Sequence, residues 1–191
     1  MKNLFLIIGA PGSGKTTDAS LIAQRNSEKI AHYSMGELLR IEAQSNSPLG
    51  RSIASYMNAG NLVPIEIVAS TILSVIKQCE KNYILIDGFP RTKEQMLTLD
   101  YLLVTEPEIN LVSVIEVVVS EDVACERVLG RARGDDDNVE VFKNRMKVYT
   151  QPLQDIEKLY TKRGLLKKIN GERSIEEIVA EMEDFILNLS L

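Results

Sequence analysis

The stretch from Asn3 to Asp18, NLFLIIGAPGSGKTTD, constrains this chain more than any other, because strand, glycine-rich loop and helix start follow one another without interruption. Leu4, Phe5, Leu6, Ile7 and Ile8 form an unbroken apolar run, as expected of a parallel strand covered on both faces. Gly9, Gly14, Lys15 and Thr16 match the pattern G-x-x-x-x-G-K-[ST]. In that pattern successive backbone N–H groups turn inward to ring a phosphate chain, and a Cβ at the glycines would crowd the nest. Lys15 would reach the outer phosphates as a point charge, and the helix opening at Thr16 would aim the positive end of its dipole at the same anion. Thr16 or Thr17 would hold Mg²⁺. An ordinary strand-to-helix turn would explain Gly9 and Gly12, but not a lysine followed by two hydroxyls.

A chain of 191 residues holds one sizeable α/β core. With 45% hydrophobic and 26% charged residues and no low-complexity tract, it is not a disordered protein. A net charge of −5 argues against a nucleic-acid-binding surface, so arginines that cluster need a local anion. The chain enters its first strand without a charged leader and nowhere carries an eighteen-residue apolar run, which predicts a cytoplasmic protein that does not engage a membrane. Cys79 and Cys125 stand apart without a C-x-x-C partner, so neither zinc nor a disulfide is expected, and both thiols are expected buried and reduced.

Ala19, Leu21, Ile22 and Ala23 give the first helix its apolar stripe, and Ile30 to Ser34 reads as a second strand followed by helical MGELLR. His32, the sole histidine, reads as a hydrogen-bonded structural residue at a strand end and is assigned no role. Arg40 falls near the sheet's C-terminal edge, where ligands bind, although a solvated arginine would look the same. Pro48 to Pro64 reads as a small helical insert broken by Gly60, and Ile65 to Ile76 as the next helix. Tyr83 to Ile86 is a strand ending in Asp87, where nucleotide-binding α/β proteins place a carboxylate for Mg²⁺ or its water.

Leu111 to Val119 supplies a fourth strand with an unexplained charge at Glu116, and Val123 to Arg133 a helix carrying Arg127, Arg131 and Arg133. Asp135, Asp136 and Asp137 lack the alternate spacing of a calcium loop and read as a solvated turn or as arginine partners. A helix around Val141 to Tyr149 carries Arg145, Leu165 to Ile169 closes the sheet, and Ser174 with Glu177 caps a last amphipathic helix to Leu189.

GAPGSGKTT, SMGELLR, GNLVPIEIV, DGFPRTKEQ, RVLGRARGDDDN and NGERS span essentially the whole chain, and together they resemble the nucleoside monophosphate kinases. The likeness is greatest to the adenylate kinase family with a short lid. It implies an α/β P-loop nucleotide kinase over residues 1–191, with a five-stranded parallel sheet, a small helical NMP-binding insert at 34–63 and a short lid at 130–136. It further implies a monomer that converts ATP and AMP reversibly into two ADP with Mg²⁺, in adenine nucleotide homeostasis, and without structural zinc.

On the same resemblance the ATP phosphates would lie on Gly12, Ser13, Gly14, Lys15, Thr16 and Thr17, with adenine near Arg131 and the turn from Gly171 to Arg173. AMP would meet Met35, Arg40, the backbone of Asn61, Leu62 and Val63, the loop Gly88, Phe89, Pro90 and Arg91, and Gln95, whose amide would read the adenine edge. Lys15, Arg91, Arg127, Arg133 and Arg145 would act on the transferring phosphates, the last two also holding AMP. Thr16, Thr17 and Asp87 would serve Mg²⁺. Three departures stand out: the family usually has Lys-Gly-Thr where this chain has Lys15-Thr16-Thr17, a threonine where it has Met35, and a longer spacing from Arg131 to Arg133 with a shorter one from Arg133 to the aspartates.

A UMP or CMP kinase shares the short lid and is the nearest rival. A nucleotide-binding switch is the rival of another class, but the guanine motif Asn-Lys-x-Asp is absent and a second arginine-lined phosphate site has no purpose there.

Overall fold

The apolar runs lie side by side as a parallel sheet whose order, β2-β3-β1-β4-β5, does not follow the chain. Its strands are β1 (Lys2–Gly9), β2 (Ile30–Ser34), β3 (Tyr83–Asp87), β4 (Ile109–Val118) and β5 (Leu166–Asn170). The structure, a computed structural model, describes residues 1–131 and 138–189, the Arg131 side chain excepted. The expected lid at 130–136, with Arg133 and the aspartates at 135–137, therefore lies outside the described residues but for Gly130 and the Arg131 backbone.

Helices connect and follow the strands: α1 (Lys15–Arg25), α2 (Met35–Ala43), α3 (Pro48–Asn58), α4 (Ile65–Gln78), α5 (Lys93–Thr105), α6 (Glu121–Arg131), α7 (Val139–Lys162) and, after β5, α8 (Ile175–Asn188). Side chains alternate across a strand, so β1 divides its apolar run between two cores. Leu4, Leu6 and Ile8 join Ile84, Ile86 and Val114 beneath α2, α4, α5 and α7. Phe5 and Ile7 join Leu85, Ile115 and Val117 beneath α1 and α8. Burying each such side chain stabilises the fold by roughly 1.5–3 kcal/mol. An apolar strand with no polar face is thus the signature of a sheet sandwiched between helices.

The insert between β2 and β3 matches its expected breaks. Gly60, at φ +70, ends α3: its N–H donates to Met57 O at 3.0 Å and Asn61 N–H to Tyr56 O at 2.9 Å. This paired closure needs a residue in the left-handed region, which glycine adopts without a Cβ penalty. At the other end of the chain, Ser174 and Glu177 form the expected reciprocal cap of α8.

Two features depart from expectation. Cys79 is buried, but Cys125 on α6 is only half-buried. Glu116, unexplained in the sequence, is 2% exposed, accepts a hydrogen bond from Tyr149 Oη at 3.2 Å and has Lys168 Nζ 3.4 Å away. Burial first, then the neighbouring Glu157, pushes its carboxyl above the usual range, with Lys168 pulling it down.

Candidate active site

Strand register brings the key residues together. Ile7 of β1 and Ser34 of β2 both pair with Asp87 of β3, so the loop after β1, the start of α2 and the end of β3 meet at one edge of the sheet. This is the C-terminal edge, where open parallel sheets bind ligands. The loop from Gly9 to Gly14 lies against α6, and a Cβ at Gly12, φ +82, would collide with the Ala124 carbonyl oxygen. Only glycine fits so close an approach at that dihedral angle.

Asp87 is the centre of a hydrogen-bond cluster. Thr16 Oγ1 donates to its Oδ1 at 3.0 Å and Ser34 Oγ to the same oxygen at 3.3 Å, while His32 Nε2 lies 2.7 Å from Oδ2. Burial pushes this carboxyl up, but the His32 hydrogen bond, the Lys15 charge and Thr16 outweigh it and hold it below the usual range. Asp87 is therefore ionised at neutral pH and His32 is its donor. Sequence reasoning assigns His32 no role. Its place two residues before Ser34 puts it on the same sheet face as Ser34 and Asp87, but only the pairing of β2 with β3 reveals that.

Two pockets open from this point and share Gly12, Lys15 and Thr16 as a common wall. The first, of about 1100 Å³ with its open mouth, is lined by the expected Met35, Arg40, Asn61, Leu62, Val63, Asp87, Gly88, Arg91, Gln95 and Arg145. Val148 and Tyr149 of α7 also line it, and sequence reasoning missed both. Phe89 does not reach it: the side chain is fully buried in the core, and neither it nor Pro90, across a cis peptide bond, lines the pocket.

Arg91 is open to the water of this crevice, yet walled by protein. Those walls depress its pKa, Asp87 raises it, and Arg145 and Arg40 depress it further, leaving it below the usual guanidinium range. Arg40, ion-paired with Glu37 at 2.6 Å, and Arg145 face the same crevice as Arg91, a positive surround suited to an anion. Arg91 Nε is oriented by Gly88 O at 2.7 Å. Gln95, 5% exposed, accepts the Arg91 N–H on Oε1 at 2.6 Å. Its carbonyl thus already supports the turn, leaving Nε2 and a second lone pair for a base.

The second pocket, of about 930 Å³ with its mouth, takes in the expected Gly12, Ser13, Gly14, Lys15, Thr16 and Thr17, and also Arg127, Arg173 and the apolar Ile175 and Ile178. Arg127 Nη1 donates to Gly171 O at 3.0 Å and Ser13 O at 3.4 Å, tying the phosphate loop to the turn before α8. Arg173 is held by an ion pair with Glu181. The two threonines separate: Thr16 faces Asp87, whereas Thr17 is exposed on the second pocket.

A parallel sheet with a glycine-rich phosphate loop at its edge, and an arginine-lined pocket on one side of that loop, defines a P-loop nucleotide kinase. A family model described as adenylate kinase matches residues 7–165. Similar relatives, each named adenylate kinase, include those of Nautilia profundicola, 67% identical over 186 residues and 97% of each chain, and Nitratiruptor sp., 64% identical over 187 residues, 98% of this chain and 96% of the relative. A third, from Wolinella succinogenes, is 62% identical over 186 residues, 97% of this chain and 98% of its own. The chain belongs to the adenylate kinase family of nucleoside monophosphate kinases, which transfer a phosphoryl group between ATP and AMP.

Proposed function

We propose that AMP occupies the arginine-lined pocket and ATP the pocket beside Arg127, with the transferring phosphoryl group over their common wall. The observation that carries this reading is the sharing of Gly12, Lys15 and Thr16 by both pockets. Phosphoryl transfer needs in-line positioning and neutralised phosphate oxygens more than it needs a strong base. Lys15 and the N–H groups opening α1 would neutralise the outer phosphates of ATP. Arg40, Arg91 and Arg145 would hold the AMP phosphate and pin its attacking oxygen. On the family likeness alone, Arg131 is assigned to ATP and Arg133 to the transferring phosphates and AMP.

Residues 34–63 would form the AMP-binding insert and 130–136 the lid, and their closure would exclude water as a competing acceptor. Thr16 and Asp87, convergent oxygen donors, suit a hard cation and would hold Mg²⁺ when it enters with ATP, adding positive charge at the phosphates. The setting that fits is a cytoplasmic monomer working on free ATP, AMP and ADP.

A coupled assay across AMP, UMP, CMP and GMP tests the acceptor. AMP should lead, and a wild-type preference for UMP or CMP would hand the pocket to pyrimidines. Lys15→Met and Arg91→Ala should each lower kcat/KM by about 10³-fold or more. Near wild-type turnover in either folded variant would sink the assignment.

A further inference from the structure

Asn144 of α7 ties that helix to the tip of the helical insert. Closing α3 through Gly60 uses the carbonyls of Tyr56 and Met57 and leaves that of Ala59 facing outward. Asn144 Nδ2, on α7, donates to Ala59 O at 2.7 Å and to Asn61 Oδ1 at 3.1 Å. The backbones approach closely here: a Cβ on Gly60 would lie 3.2 Å from Asn144 Nδ2, from Val141 Cγ1 and from Val141 O. On the insert side the contact runs directly into Leu62 and Val63, and on the α7 side into Arg145, all lining the arginine-lined pocket.

We propose that Asn144 is a positioning residue of the acceptor site, joining the 61–63 loop to the segment that carries Arg145 so that both meet AMP as one unit. The proposal rests on the reading of that pocket as the AMP site. The contact has a direction because the Ala59 carbonyl can only accept, so only a donor at 144 satisfies it, whereas the Asn61 amide can turn either end toward 144. A loop held in its binding position before the ligand arrives lowers the ordering cost of binding. Where the competent arrangement is only partly populated, apparent affinity falls by that fraction. Asn144 would therefore act on AMP affinity and leave ATP affinity alone.

The test titrates AMP without ATP onto wild type, N144A and N144D, then measures KM for both nucleotides and the melting temperature. N144A should weaken AMP binding by about threefold to tenfold, the range for loss of such hydrogen bonds. N144D, which sets a carboxylate against the Ala59 carbonyl oxygen, should weaken it more. KM for ATP should stay within twofold, and kcat should hold or rise because the insert reopens more easily. Adding N61K to N144D should recover at least part of the loss by replacing the amide contact with an ion pair. AMP binding by N144D within twofold of wild type would overturn the proposal alone. So would equal losses for AMP and ATP, or a melting temperature that falls while AMP binding holds, since either marks a merely structural role. Wild type that fails to bind AMP would overturn the acceptor reading, and the proposal with it.

Discussion

Asp18 stands one turn into α1 with its side chain almost fully enclosed and Oδ2 without a hydrogen-bond partner. Burial raises its carboxyl from 3.8 to about 6, with Arg127 and Lys15 pulling it down. The folded protein thus holds this proton more tightly than the unfolded chain, and the charged form costs stability. The cost is absent well below pH 3.8, grows as pH rises through that window and is complete above about 6. Asp18→Asn should therefore stabilise the protein at pH 7.5 by up to about 3 kcal/mol, with little gain at pH 4. Thermal melts of the pair at both pH values check this, and an equal difference at each would contradict it. Gln95 is a second test at this scale. Gln95→Leu should lower kcat/KM for AMP more than for UMP or CMP if the amide reads the base. Equal losses across the three substrates would reduce Gln95 to its observed role, support of the Arg91 N–H.

Among the elements, α5 is the one whose pattern hides it. Met96 and Leu99 are buried while Leu97, Tyr101 and Val104 are exposed, so its apolar residues circle the helix instead of forming a stripe. The legible signal was Thr92, whose Oγ1 accepts the Gln95 N–H at 3.1 Å and starts the helix just after the Pro90 loop. Thr92→Ala should cost about 1 kcal/mol and lower Tm by about 2–4 °C. Because that first turn also seats Gln95 beneath Arg91, KM for AMP should rise together with the loss of stability. A lower Tm with AMP kinetics intact would separate the cap from the site.

At the scale of the whole molecule the two pockets predict two independent ligand linkages. Saturating ATP with Mg²⁺, or AMP alone, should each raise Tm, each adding about 2.7 kcal/mol at a hundredfold excess over Kd. Arg127→Ala should blunt the ATP shift and spare that of AMP, whereas Arg40→Ala should do the reverse. Differential scanning fluorimetry decides it, and a variant that loses both shifts equally would mean the pockets are not separate. No cluster of three or more potential metal-ligating residues occurs among the described residues; Cys79 follows the end of α4 and Cys125 lies on α6. On the cysteine spacing of the sequence, elemental analysis should find no stoichiometric zinc, and one zinc per chain would refute this.

Local sequence was enough for features built from neighbours: the phosphate loop, the two-sided apolar strands, Asp87 at a strand end and the cap of α8. Each is a contiguous pattern whose chemistry needs no distant partner. The bond between His32 and Asp87 joins residues fifty-five positions apart, and the sheet order that makes it is not written in the sequence of any one strand. The same holds for Glu116 with Tyr149, and for Asn144 with Ala59 and Asn61. A lone polar residue carries no local signal of its partner, and the partner is chosen by which strands lie adjacent and in what register. What the sequence by itself determined is therefore the fold class and the phosphate chemistry. Tertiary structure alone decided which side chains orient that chemistry, because burial and pairing exist only once the parallel sheet has brought distant segments together.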